Sequence, residues 1–152
     1  MLRYRRAHTG FFKPKNKEKY VGNADMIVYR SGLELKFMKK IDREPNILKW
    51  ASEEICLPYV SPKDNRIHRY FPDLIVTAKL QDGSTQVYAI EVKPDEQTRQ
   101  PKRRKSKRYL SECLTYAVNQ AKWTACQKFC EDKGWQFQIW TEKHLGLEQL
   151  YG

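Results

Sequence analysis

The sequence predicts a single domain of the α/β class, close to the border with α+β, in which a mixed β-sheet is flanked by helices. The first observation is the order of hydrophobic patterns: a helix, three strands joined mostly by turns, a long helix and a last strand. The second is size, because 152 residues fit one domain and 40% hydrophobic residues suffice for one packed core. We expect residues 29–152 to form this domain and residues 1–28 to form a basic N-terminal arm.

Short signals mark the ends of the two main helices. Ser31 and Glu34 have the spacing of a capping box, so the first helix should begin near Ser31, and Pro45 stops it or lies just past its end. The long helix should run over about 107–132, with Gly134 as its C-terminal cap. Its predicted apolar stripe consists of Leu110, Cys113, Leu114, Ala117, Ala121, Ala125 and Phe129.

The strands are predicted from apolar runs between turn signals. Residues 61–66 are rich in turn formers, and Asp82-Gly83 favours a hairpin between the strands on either side. The predicted strands cover residues 55–60, 69–80, 86–93 and 135–141, and a short C-terminal helix is expected around 142–150.

The charge balance favours a polyanionic partner. There are 29 Lys and Arg against 18 Asp and Glu, a net charge of +11, and nucleic acid gains affinity when basic side chains release its counterions. No apolar stretch is long enough to cross a membrane, and the N-terminus lacks the apolar core of a signal peptide, so we expect a soluble, intracellular protein. The basic segment 1–28 could lie on the domain or on DNA, or be a loosely packed, solvated extension.

Four cysteines give little support to a zinc site. None belongs to a CxxC pair, and no second pair of Cys or His ligands accompanies Cys126 and Cys130. We interpret the cysteines as buried thiols in a reducing compartment.

The candidate chemistry is concentrated on two neighbouring strands. Asp73 lies in one strand, and Glu91-Val92-Lys93 ends the next, so a hairpin would place the two carboxylates side by side. Residues i and i+2 on a strand share a face, so Glu91 and Lys93 should point into one site while the Val92 side chain faces the core. The Val92 carbonyl should then lie near any metal ion that the two carboxylates hold. Carboxylates of this kind can hold Mg²⁺, which activates water and polarises a phosphate, and Lys93 can orient the water or stabilise charge.

Each of these residues also has a simpler interpretation. Asp, Glu and Lys on a strand are often a solvated face, but Asp73 and Glu91 are surrounded by apolar residues, where a carboxylate is costly unless it is paired or bound to a metal. Glu34 is either a third carboxylate of the site or only the third residue of the capping box. Asn119 and Gln120 are more simply explained as solvent-facing polar residues than as supports of the site.

A strongly basic run follows the candidate catalytic strand. Residues 99–108 contain seven basic residues in ten, which could clamp DNA phosphates beside the scissile bond or form a disordered charged loop. Such contacts would fix the position of the DNA without selecting a sequence. The four tryptophans are expected in the core. The predicted DNA-binding residues are Arg99, Lys102, Arg103, Arg104, Lys105, Lys107 and Arg108.

The order Glu34, Pro72-Asp73, Glu91-Val92-Lys93 resembles the motif of the PD-(D/E)XK nuclease superfamily, which has a restriction-endonuclease-like fold. The segment 29–34 is similar to the first-helix motif of phage Holliday-junction resolvases and of the nuclease subunit of Tn7-like transposases. This resemblance implies that Glu34, Asp73, Glu91 and Lys93 are catalytic. It also implies metal ligation by Asp73, Glu91 and the Val92 carbonyl, with Glu34 in or beside that shell.

The chain is also similar, over nearly its whole length, to the head completion nucleases of T-even-type bacteriophages. The shared segments include 47–53, 69–73, 90–94 and 116–123. The resemblance implies an endonuclease, with exonuclease activity as an extension, that uses Mg²⁺ or Mn²⁺ and processes packaged double-stranded DNA before the tail joins. It further implies contact with phage head or portal proteins, and a location in the virion and the host cytoplasm.

Two other functions are compatible with the sequence. One is a DNA-binding structural protein of the head or connector, with a degenerate site. The other is a transposase-like or junction-resolving endonuclease subunit, which would need a partner or a preferred DNA structure.

Overall fold

A computed structural model describes residues 9–146 of the chain. Within these residues, eight strands and two α-helices form one four-stranded sheet, two small two-stranded sheets and their covering helices. In chain order they are β1 (Gly10–Phe11), β2 (Val28–Tyr29), α1 (Gly32–Arg43), β3 (Ile47–Ser52), β4 (Leu57–Ser61), β5 (Arg66–Tyr70), β6 (Leu74–Lys79), β7 (Thr85–Val92), α2 (Lys107–Lys133) and β8 (Gln136–Trp140).

The central sheet confirms the predicted mixed topology. Its strand order is β3-β6-β7-β8; β7 and β8 are parallel, and the other neighbours are antiparallel. The predicted hairpin is present as β6 and β7, with Leu74 opposite Ile90. β4 and β5 form a separate antiparallel hairpin, and β1 pairs with β2.

Two hydrophobic clusters hold the layers together, one on each face of the sheet. The first joins α1 to the sheet through Phe37, Met38 and Ile41, and includes Ile90 of β7. The second lies between the sheet, the β4–β5 hairpin and α2, and includes Ala89 of β7, one residue before Ile90. Successive residues of β7 therefore face the two clusters in turn, as the two-residue period of a strand requires.

The helix ends agree with the predicted caps. The Ser31 hydroxyl accepts the backbone N–H of Glu34 at 3.1 Å, and α1 ends at Arg43, two residues before Pro45. Gly134 follows α2 in the left-handed conformation, with φ of 74°, and its N–H donates to the helix carbonyls of Cys130 and Glu131.

The predicted apolar stripe of α2 is wrong in its first half. Leu110 and Leu114 are 68% and 39% exposed, because the buried face of the helix begins only at Asn119 and continues through Trp123, Cys126 and Cys130. Asn119 was expected to face solvent and is instead 6% exposed. All four cysteines were expected to be buried, but only Cys126 and Cys130 are; Cys113 is half-buried and Cys56 is exposed. Three of the four tryptophans are buried, and the fourth, Trp135, packs against the second cluster.

Two strand predictions also need correction. The run 69–80 is not one strand: β5 ends at Tyr70 and β6 begins at Leu74, because Pro72 lacks the N–H that would continue the ladder. The strand Ile47–Ser52 was not predicted; its burial does not alternate along the strand. After β8, the structure describes a short 3₁₀-helix over Glu142–His144, while residues 147–150 of the expected C-terminal helix lie outside the described residues.

The described part of the basic N-terminal segment packs against α1 and the core. Phe12, Tyr20 and Ile27 belong to the first cluster. The Lys19 ammonium group donates to three backbone carbonyls at the end of α1, those of Ile41, Asp42 and Glu44, at 2.8, 2.9 and 2.9 Å. Residues 1–8 lie outside the described residues. Neither helix in the described part of the chain has both the length and the apolar character that a membrane crossing needs.

Candidate active site

An open cleft of about 610 Å³ lies where β6 begins and β7 ends, beside the first turn of α1. The antiparallel register of β6 and β7 sets Asp73 opposite Glu91 at this edge, because Leu74 pairs with Ile90. All four residues predicted to be catalytic line the cleft. Its lining residues are Arg30, Glu34, Glu53, Arg69, Tyr70, Phe71, Asp73, Glu91, Val92, Lys93 and Lys122.

Asp73 is fixed by a backbone hydrogen bond from the neighbouring strand. Its Oδ2 accepts the N–H of Val92 at 2.8 Å, so the predicted juxtaposition of the two strand ends is confirmed. The carbonyl of Asp73 in turn accepts the N–H of Glu53, at 3.3 Å, which ties the end of β3 to the same place.

Glu91 and Lys93 lie on the same side of β7 and contact each other. Lys93 Nζ is 3.7 Å from Glu91 Oε1. The other carboxylate oxygen, Glu91 Oε2, accepts a hydrogen bond from the Tyr70 hydroxyl, and Glu91 is only 5% exposed. Both oxygens of this buried carboxylate therefore have partners.

Glu34 combines the two roles that the sequence left open. Its backbone N–H is capped by Ser31, but its side chain does not complete a reciprocal capping box, since Oε2 accepts the N–H of Arg30 at 3.2 Å. The carboxylate is 8% exposed and lines the cleft. Glu34 thus takes part in the helix terminus through its backbone and in the cleft through its side chain.

The fourth carboxylate of the cleft, Glu53, was not predicted. It follows β3 with a left-handed backbone, φ of 54°, and binds Arg30 in a bidentate ion pair, with N–O distances of 2.7 and 3.1 Å. Glu53 was missed because β3, the strand that it follows, was not predicted. Residues 69–71 directly precede Pro72-Asp73 and could have been suspected from that position. Lys122 belongs to the shared segment 116–123 but was not predicted as a site residue, and it reaches the cleft because α2 packs over the β4–β5 hairpin.

Burial raises the pKa of all three predicted carboxyls, and repulsion from neighbouring acids adds to this for Asp73 and Glu34. The pKa of Asp73 is raised well above its ordinary value by burial and by the nearby Glu91 and Glu34, and the Val92 N–H offsets only part of this. Burial also raises the pKa of Glu91, against the opposing effects of Tyr70 and Lys93, and that of Glu34. A cation bound among these groups would relieve the repulsion.

The donor set fits a hard divalent cation. Carboxylate oxygens are the ligands that Mg²⁺ and Mn²⁺ prefer, while zinc and other soft metals favour thiolates and imidazoles. Within residues 9–146, no group of three or more Asp, Glu, His or Cys side chains is placed to enclose a metal. Mg²⁺ keeps several waters and is commonly held by one or two carboxylates, so a pair such as Asp73 and Glu91 could hold it.

The predicted DNA-binding run lies outside the cleft. None of its seven basic residues is among the cleft lining, and all are exposed. Two of them have acidic partners: Arg99 binds Asp95 at 2.6 Å, and Arg108 binds Glu112 at 2.9 Å. Asp95 also pairs with Lys143 at 3.1 Å, which anchors the start of the loop to the segment after β8.

Two comparisons with known proteins agree with this geometry. Residues 44–142 match the family described as TnsA-like endonuclease N terminal, a range that contains Asp73, Glu91 and Lys93. The chain is also 36% identical over 145 residues to the head completion nuclease of Enterobacteria phage T4, and the match covers 91% of this chain and 94% of that protein.

Proposed function

This chain belongs to the TnsA-like endonuclease family, and we propose that it is a divalent-metal-dependent DNA endonuclease that acts in phage head completion. The observation that carries the proposal is the convergence of Asp73, Glu91 and Lys93 at adjoining strand ends in one cleft. The fold agrees, since a mixed sheet flanked by helices is what a restriction-endonuclease-like domain requires. The head-completion role rests on the similarity to the phage T4 protein of that name.

In the proposed hydrolysis of a phosphodiester bond, the cleft residues have separate roles. Asp73, Glu91 and the Val92 carbonyl would hold the metal, with Glu34 in or beside that shell. A bound Mg²⁺ would lower the pKa of a water and polarise the phosphate. Lys93, whose Nζ is 3.7 Å from Glu91 Oε1, would orient the attacking water and stabilise charge on the phosphate oxygens.

Tyr70 and the backbone of β7 keep the acids in place. The Tyr70 hydroxyl stays protonated because burial and the nearby Glu91 raise its pKa, so it remains a donor to Glu91 Oε2. The N–H of Val92 holds Asp73 Oδ2 in the same way. Groups that are positioned before substrate binds need no reorganisation during the reaction.

Plasmid nicking tests the proposal directly. Wild-type protein should nick supercoiled DNA in Mg²⁺ or Mn²⁺, and EDTA should abolish the nicking. Lys93→Ala and Asp73→Asn should each lower the nicking rate by about 10²–10⁴-fold. Lys79→Ala is the control, because Lys79 is an exposed lysine at the far end of β6. Undiminished nicking by both cleft variants would remove the assignment of the site.

The choice of substrate follows from the same assay with other DNAs. The T4 relative is named for head completion, so linear duplex ends resembling packaged DNA are the first substrates to compare with circles, and shortening from the ends would reveal exonuclease activity. The TnsA-like match favours a second candidate, a transposase-like or junction-resolving subunit. A marked preference for four-way junctions or a requirement for a partner protein would support that candidate instead.

DNA binding outside the cleft would come from the basic run. Its exposed side chains, from Arg99 to Arg108, follow the catalytic strand and lead into α2, and they would contact phosphates outside the cleft. Such contacts hold the duplex without reading its sequence. Steep salt-dependent DNA binding with no nicking under any divalent metal would instead favour a structural head or connector protein.

A further inference from the structure

The charged groups of the cleft divide into those that form a direct ion pair and those that do not. Of the eleven lining residues, four are basic and four acidic. Arg30 is held by Glu53, and Lys93 pairs with Glu91. The two remaining basic residues, Arg69 and Lys122, form no ion pair within the described part of the chain, and the two remaining acids are Glu34 and Asp73.

These two cations come from the β4–β5 hairpin and from α2, which packs on β4 of that hairpin. Arg69 lies on β5, next to Tyr70, and Lys122 lies on α2 above the hairpin. The Lys122 ammonium group is 5.8 Å from the ring centroids of both Tyr59 and Tyr70. Aromatic rings hold an ammonium group in place while leaving its hydrogen-bond donors available to an anion.

A cleft in which some acids and some bases lack a direct ion pair suits a ligand that carries both signs of charge. The acids fit a cation, and the bases fit an anion with several oxygens. A metal ion together with a nucleic-acid phosphate has this composition.

We propose that Arg69 and Lys122 bind backbone phosphates of the DNA within the cleft, beside the scissile bond. This inference rests on the proposed function for the identity of the ligand. It assigns DNA contact to two residues outside the basic run 99–108. Each residue contributes one phosphate contact.

The salt dependence of DNA binding counts such contacts. For duplex DNA, the slope of log K against log salt is about −0.9 per neutralised phosphate. Anisotropy of a labelled duplex in EDTA, over a range of KCl concentrations, should therefore show slopes less steep by about 0.9 for Arg69→Gln or Lys122→Gln and by about 1.8 for the double variant. Lys122→Arg should restore the wild-type slope.

Lys133 provides a matched control on the same helix. Its ammonium group also lies over two aromatic rings, at 5.2 Å from Phe129 and 5.9 Å from Trp135, but it does not line the cleft. Lys133→Gln removes the same kind of contact and should leave the slope unchanged. Arg69→Gln changes an exposed side chain and decides the test if Lys122→Gln fails to fold.

The inference and the proposed function fail in different ways. A wild-type slope in the double variant, or an equal change in Lys133→Gln, would overturn the inference even if the protein nicks DNA with Mg²⁺. Wild-type protein that never nicks, while its cleft variants lose the expected slope, would overturn the proposed function and leave the phosphate contacts standing.

Discussion

The hydrogen bond from Tyr70 to Glu91 should stabilise the metal-free protein measurably. Tyr70→Phe removes only the hydroxyl, while the ring remains in the second cluster beneath Lys122. Glu91 is 5% exposed, and its other partner is Lys93 at 3.7 Å, which is beyond a good hydrogen bond. The buried carboxylate would therefore lose its strongest partner.

The size of the effect follows from the charge of the acceptor. A hydrogen bond to a charged group contributes about 1.5–3 kcal/mol to stability. Leaving a buried polar group without a partner costs a similar amount, about 1–3 kcal/mol. We expect Tyr70→Phe to lower the free energy of unfolding by about 2 kcal/mol, which in a domain of this size lowers Tm by about 4–8 °C.

Urea unfolding followed by tryptophan fluorescence measures this difference, with Tyr59→Phe as the matched control. Tyr59 is also buried beneath Lys122 but is not among the described partners of Glu91. Its variant should stay within about 0.5 kcal/mol of wild type. If Tyr70→Phe is no less stable than Tyr59→Phe, Tyr70 does not hold a charged Glu91 and its place in the site must be abandoned.

Two further predictions concern the rest of the fold. Lys19→Met should lower the free energy of unfolding by about 1–3 kcal/mol, because three carbonyls at the end of α1 lose their donor. Lys17→Met is the control: its side chain is 68% exposed, and the variant should change this free energy by less than about 0.5 kcal/mol in the same urea titration. Thiol labelling of the native protein should modify the exposed Cys56 quickly and leave Cys126 untouched until denaturant is added, since Cys126 is fully buried and burial raises its pKa. Mass spectrometry of the labelled peptides reads both rates, and rapid native labelling of Cys126 would contradict the packing of α2.

Much of the site was predictable because its signals are local. The Asp82-Gly83 turn fixes β6 and β7 as a hairpin, and the hairpin alone brings Asp73 beside Glu91. The two-residue period of β7 then places Lys93 with Glu91. These inferences needed no knowledge of how the helices pack.

The parts that were missed depend on contacts between distant segments. Glu53 enters the cleft because β3 pairs with β6, and β3 has no alternating pattern to reveal it. Lys122 enters because α2 lies over the hairpin through Trp123 and Cys126, a face that the wrongly assigned stripe beginning at Leu110 had obscured. Side-chain period indicates that a helix has a buried face, but the partner surface decides how far along the helix that face extends.

The break at Pro72-Asp73 explains why the acids meet at this point. The break ends β5, whose Tyr70 packs with α2 in the second cluster, and is followed by β6 in the central sheet. The site therefore lies where the two clusters adjoin. Glu91 is fixed from the second cluster by Tyr70, while its neighbour Val92 packs in the first and donates to Asp73. Raised carboxyl pKa values mean that this arrangement costs stability, and the surrounding hydrophobic layers offset that cost. Such a cost persists where the local arrangement serves binding or catalysis rather than folding, as the proposed metal and phosphate contacts require.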